Sequence, residues 1–174
     1  MAWPGNEGRS PVRRIVMDAL LAAVALTIFV VELQIPMPVP VPGMKLGLAN
    51  IVTVAALFWL TPWDAGLILL VRILLGCFLT GRVMALIYSL AGGLLCYLAM
   101  LVMRRIVTPR QIWVCSVIGA LMHNVGQMAA ALLVTGTWAL LAYLPVLLAI
   151  GIFTGLFTGL AAQFLVARLK NLKL

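Results

Sequence analysis

The stretch "HNVGQ" places His123, Asn124 and Gln127 within five consecutive residues. On a helix, residues four apart share a face, so His123 and Gln127 project the same way with Asn124 beside them. An imidazole and two carboxamides offer hydrogen-bond donors and acceptors without net charge, a set suited to recognising a small polar molecule. Arg72, inside "DAGLILLVRILLGCFLT", adds a permanent cation amid apolar side chains. Lys45 and Asn50 in "PGMKLGLAN" and Tyr88 in "YSLAGG" complete the candidate binding set. Lys45, Arg72 and Arg82 beside amides point to an anionic or carbonyl-rich ligand with room for an apolar part.

These polar groups need elements to hold them, and composition says which kind. The chain is 65% hydrophobic and 9% charged over 174 residues, with a mean hydropathy of +1.20. A soluble domain of this length would be about a quarter charged. Apolar stretches of roughly 18 residues or more read as membrane-spanning helices. Six are expected, over residues 15–34, 46–60, 64–80, 83–103, 111–135 and 139–167, and the class is an all-α polytopic membrane protein. The spans form one transmembrane domain over 15–167, between an N-terminal segment 1–14 and a basic tail 168–174. "TPWD" and "TPRQ" read as helix starts, with Thr61 and Thr108 as caps and Pro62 and Pro109 at the first helical positions.

Charge orients the bundle. Arg9, Arg13 and Arg14 precede the first span; Arg104, Arg105 and Arg110 lie between the fourth and fifth; Arg168, Lys170 and Lys173 follow the sixth. With six spans all three clusters share one side, and the basic side is cytoplasmic. Both termini are therefore expected in the cytoplasm. The net charge of +8 is then a topology signal rather than a nucleic-acid footprint. No A-x-A pattern follows the first span, which is expected to stay in place rather than be cleaved as a signal peptide.

In this orientation the intramembrane polar residues gather in the outer half. Lys45 and Arg82 fall at the outer surface, Glu32 at the outer end of the first span, Asn50 one turn in, and Arg72 near the middle. Tyr88 lies in the outer half and "HNVGQ" in the middle to outer half. A polar residue in lipid is expensive, which makes each a functional candidate. Each also has a plainer reading. Glu32 is equally an interfacial residue, and Lys45 and Arg82 equally cations snorkelling to the surface. Arg72 reads as a cavity residue or a structural pair. Asn50, Asn124 and Gln127 read as ligand contacts or as hydrogen-bonding glue between helices. His123 and Tyr88 serve packing as readily as a site. Together the set suggests a polar cavity open to the outside and closed below.

Small residues tell a separate story. Gly151, Gly155 and Gly159 recur every four residues, and Ala91, Gly92 and Gly93 follow one another in the fourth span; such stripes let helices approach closely. Ala19 and Ala23 make a similar stripe near the cytoplasmic end of the first span, for internal packing or for docking another membrane protein.

No G-x-x-x-x-G-K-[ST] occurs, so ATP hydrolysis by a P-loop is excluded. The four acids, Glu7, Asp18, Glu32 and Asp64, form no pair that would hold Mg²⁺ on a diphosphate. Cys77, Cys96 and Cys115 sit singly in different spans and read as buried thiols. No metal site and no catalytic set is expected, and the chain reads as a non-enzyme.

The motifs "PGMKLGLANIVT", "RILLG", "YSLAGGLL", "GALMHNVGQ" and "YLPVLLAIGIFTGLFTG" resemble, in that order, the Gx transporter family, also labelled heptaprenyl diphosphate synthase component I. The resemblance spans roughly residues 19–160. That family is similar to the substrate-binding S components of energy-coupling factor (ECF) transporters. The resemblance implies six helices cradling a small molecule near the outer face, and a loop, here "PMPVPVPGMK", covering it. It implies that Ala19 and Ala23 dock a transmembrane T component. It also implies that partner ATPases hydrolyse ATP, with no cofactor held by this chain. The expected function is a membrane-embedded capture subunit in a bacterial cytoplasmic membrane, taking up a small, anionic or isoprenoid- or quinone-related molecule. The alternative is a non-catalytic membrane component of heptaprenyl diphosphate or menaquinone synthesis.

Overall fold

The computed structural model describes residues 10–35, 45–81 and 83–171, without the side chains of residues 170 and 171. The expectations attached to Pro36, Pro38, Pro40 and Pro42, and to Arg9, Arg82, Lys170 and Lys173, lie outside the described residues.

Where the sequence is apolar with a helical start signal, a helix forms. The order is α1 (Pro11–Glu32), α2 (Asn50–Trp59), α3 (Pro62–Thr80), α4 (Val83–Arg104), α5 (Ile112–Thr135), a 3₁₀ turn (Trp138–Tyr143) and α6 (Leu144–Asn171). No strand occurs among the described residues. Among the described residues five helices are long and apolar enough to cross a membrane, the last counted with its 3₁₀ lead-in. The outward faces of α1, α3, α4 and α6 expose Leu, Val, Ile and Phe in quantity. In water that would be untenable; against lipid it is the ground state. The chain is thus a multi-pass membrane protein.

Helix ends follow local chemistry. Thr61 accepts from the Asp64 amide while the Asp64 carboxylate accepts from the Thr61 amide, a complete capping box with Pro62 inside it. "TPRQ" behaves differently from "TPWD". Gln111 folds its side chain back, its Oε1 accepting from the Thr108 amide and hydroxyl at 3.2 and 3.0 Å. A turn closes there, and α5 starts only at Ile112. α1 starts four residues before the expected 15, because Ser10 caps it and Pro11 takes the first helical position. At the other end of the chain, Pro145 lacks the N–H that would bond back one turn, so the stretch before it winds as 3₁₀ and α6 proper begins at Leu144.

α2 departs furthest from expectation. It has 10 residues rather than the 15 of 46–60, about 15 Å of helix. Residues 45–49 are not helical, and Gly47 has φ +82°, a left-handed conformation open to glycine. Yet α2 is the most buried element: Val54, Ala56, Leu57 and Phe58 are fully enclosed, packed among α1, α3, α5 and α6.

Tie-points set the directions. Arg14 of α1 bonds Asp64 of α3, so those two helices start at the same end. Tyr97 donates to the Pro62 carbonyl at 2.6 Å, which brings the later part of α4 to that end too. α5 and α6 pack closely and antiparallel, with Asn124 on Leu147 and Ser116 on Thr158. Their closeness comes from the glycine stripe. A Cβ on Gly155 would sit 2.8 Å from Val117 Cα, and one on Gly159 2.6 Å from Trp113 Cα. The basic end thus collects the starts of α1, α3 and α5 and the ends of α4 and α6. The opposite end carries the polar cluster.

Candidate functional site

The cluster is built around the non-helical strip 45–49. Glu32, at the last position of α1, accepts from the Gly47 amide at 2.5 Å and the Ala49 amide at 3.4 Å. Gln127 of α5 grips the same strip from the other side: its Oε1 accepts from the Lys45 amide at 3.1 Å and its Nε2 donates to the Lys45 carbonyl at 3.4 Å. Two buried side chains therefore do for this strip what a neighbouring strand would do in a sheet. Gln127 also touches the His123 imidazole through Nε2, the contact that their four-residue spacing allows.

Lys45 is buried rather than at the surface. Its Nζ donates to Ser89 Oγ of α4 at 3.0 Å and lies 3.7 Å from the centroid of the Phe29 ring. An ammonium over an aromatic face with a hydroxyl partner is a tolerable burial for a cation. Arg72, 4% exposed, donates from Nη2 to Asn50 Oδ1 at 3.3 Å. Its Nε and the Asn50 Nδ2 are buried without a partner among the described residues. Gly47 fits because it has no side chain: a Cβ there would lie 3.0 Å from Asn50 Nδ2 and 3.3 Å from His123 Cδ2.

Lys45, Asn50, Arg72, His123 and Gln127 thus come together, joined by Glu32 and Ser89. Two of the named candidates go elsewhere. Asn124 donates to the Leu147 carbonyl at 2.7 Å, and Gly151 leaves the room for its amide; this is a clamp between α5 and α6. Tyr88 is buried among Met128, Ala130, Ala131 and Leu147. Phe29, Gly47 and Ser89 were not singled out from the sequence. Gly47 carried a signal in "LGLAN", a glycine just before a helix start; Ser89 and Phe29 carried none.

Phe29, Glu32, Lys45, Gly47, Arg72 and His123 line a void of about 10 Å³, roughly the space of one water. The expected cavity is therefore nearly filled in this structure, and the Lys45 side chain and the strip behind it do the filling. The cluster holds two cations, Lys45 and Arg72, and one anion, Glu32. Residues 36–44 add no acid, and Asp64 is tied to Arg14. Buried cations beside donors that lack a partner among the described residues, Arg72 Nε and Asn50 Nδ2, suit an anion. Among the described residues no three His, Cys, Asp or Glu side chains gather to hold a metal.

The fold and cluster define a polytopic helical membrane protein with a buried, cation-rich polar centre at one end. The chain belongs to the heptaprenyl diphosphate synthase component I family, whose model matches residues 21–165. No curated protein and no solved structure is detectably similar.

Proposed function

We propose that this chain is a membrane-embedded capture subunit that binds a small anionic molecule from the outer side and hands it to a partner-driven uptake machine of the ECF type. In this reading α2 with its lead-in counts as a sixth crossing. Both termini and the arginine-rich end face the cytoplasm of a bacterium, as the Lys/Arg asymmetry favours. The observation that carries the reading is the burial of both Lys45 and Arg72 in one cluster, with the Arg72 Nε and the Asn50 Nδ2 lacking partners among the described residues beside a nearly filled void. A ligand enters by displacing Lys45 and the strip 45–49, which two side chains hold and which is therefore separable from the helices. Phe29 and Ile73 supply an apolar wall for a ligand that is part hydrocarbon. Ala19 and Ala23 lie exposed on α1, where a T component would dock, and ATP would be hydrolysed by cytoplasmic ATPases.

Family membership favours a second reading: a non-catalytic membrane component of heptaprenyl diphosphate synthase, holding an isoprenoid diphosphate without transporting it. The same cations would meet the diphosphate. Native mass spectrometry of the protein purified from its own host separates the two. The capture reading expects a small anion bound, with T component and ATPases in the complex. A soluble prenyl synthase subunit in their place would establish the second reading. Ala19→Leu and Ala23→Leu should each stop uptake while leaving ligand binding intact; uptake surviving both would remove the docking stripe.

A further inference from the structure

A large cavity lies at the basic end, opposite the polar cluster. It is an open groove of about 630 Å³ where the start of α3 meets the end of α4, walled by Trp63, Tyr97, Leu101, Ile106, Arg104 and Arg105. Its chemistry is two-sided. Trp63 is 85% exposed and Ile106 70% exposed, so an apolar wall stands uncovered. The Tyr97 hydroxyl is already spent on the Pro62 carbonyl, which leaves its ring as further wall. Beside this wall stand two consecutive arginines. Arg105 is exposed, and Arg104 is half-buried with its Nε enclosed and without a partner among the described residues. Among the described residues no acid lines the groove, and the acid adjacent to it in sequence, Asp64, is buried and tied to Arg14 and Thr61.

We infer that this groove binds an anionic membrane phospholipid, its phosphate on Arg104 and Arg105 and its acyl chains along Leu101, Ile106 and Trp63. A guanidinium meets phosphate oxygens with paired N–H donors, and basic pockets at the ends of membrane helices take anionic headgroups. A soluble phosphate would have no use for the apolar wall. A prenyl diphosphate carries more charge and is ordinarily held through Mg²⁺ on carboxylates, which this groove lacks. An exposed tryptophan is the side chain expected at the headgroup level. The site shares no residue with the Lys45–Arg72 cluster, so it depends on the membrane-spanning character of the chain and not on the capture reading.

The test uses the full chain in mixed micelles containing phosphatidylglycerol or phosphatidylcholine, with retained lipid counted by native mass spectrometry. Wild type should retain phosphatidylglycerol at least fivefold over phosphatidylcholine. The Arg104→Gln/Arg105→Gln double variant should lose at least fivefold of it. Arg110→Gln, at the same end but outside the lining, should lose less than twofold. Unchanged retention in the double variant overturns the site. So does an equal loss in Arg110→Gln, which would mean diffuse attraction only. Displacement of phosphatidylglycerol by farnesyl diphosphate at tenfold lower concentration overturns the choice of a phospholipid. If the double variant fails to fold, Ile106→Asp on the exposed wall serves instead: a fivefold loss supports the site, and intact retention overturns it.

Discussion

Arg72 shows what one residue decides. It is enclosed, bonded to Asn50, and keeps an Nε without a partner among the described residues beside a nearly filled void. A charge-assisted contact is worth about 1.5–3 kcal/mol, so Arg72→Ala should weaken binding of the co-purified anion at least tenfold by calorimetric titration. Unchanged affinity in a folded variant would place Arg72 outside the site. Gly47 is decided by backbone instead. Its φ of +82° disfavours any side chain, and a methyl group there would press on the Asn50 and His123 side chains. Gly47→Ala should cost about 1–2 kcal/mol, seen as a lower melting temperature in detergent; an unchanged melt would mean that the strip 45–49 is free to move aside. Arg72 could be picked from the sequence because a lone cation in an apolar run is conspicuous. Ser89 could not, because a serine beside a tyrosine carries no pattern, and only the reach of Lys45 across from residue 45 gives it a role.

At the scale of elements, two devices hold the cluster in place. The first is the glycine stripe of α6, which lets α5 and α6 approach until a Cβ would meet backbone atoms. Gly159→Leu should push the pair apart and cost about 1–3 kcal/mol as overpacking, read as a loss of thermal stability. Leu160→Ala, on the exposed face next to it, should leave the melt nearly unchanged and serves as the control. An unaffected Gly159→Leu would show that the helices do not pack as described. The second device is the two-sided grip of Glu32 and Gln127 on residues 45–49. The start signal "TPWD" was legible because a capping box is local chemistry, complete within four residues. "TPRQ" misled because the Gln111 side chain bends back to Thr108, a competition that residue types alone do not rank. The shortness of α2 was hidden for a related reason: "KLGLA" is apolar enough for a helix, and it is drawn out of one by bonds to Glu32 and Gln127, far away in the chain.

For the molecule as a whole, the two ends carry different chemistry. One has arginines and an open groove; the other has a nearly filled, cation-rich core. If the arginine end faces the cytoplasm, a green fluorescent protein fused after Leu174 should fluoresce, and alkaline phosphatase fused there should be inactive. The reverse pattern would invert the bundle and put the polar cluster on the inside. The family to which the chain belongs is described as component I of heptaprenyl diphosphate synthase.

The all-helical membrane class and the rough position of the long helices follow from the sequence alone, because hydrophobic length and charge clusters are local sums that survive any packing. So does the shortlist of buried polar residues, since lipid penalises each of them wherever it lies. Which of them meet was decided only by tertiary structure. Asn124 and Gln127 are three residues apart on one helix, yet one clamps α6 and the other holds the Lys45 backbone. The turn of α5 against its neighbours assigns those roles, and that angle is set by close packing between helices that no single stretch of sequence contains.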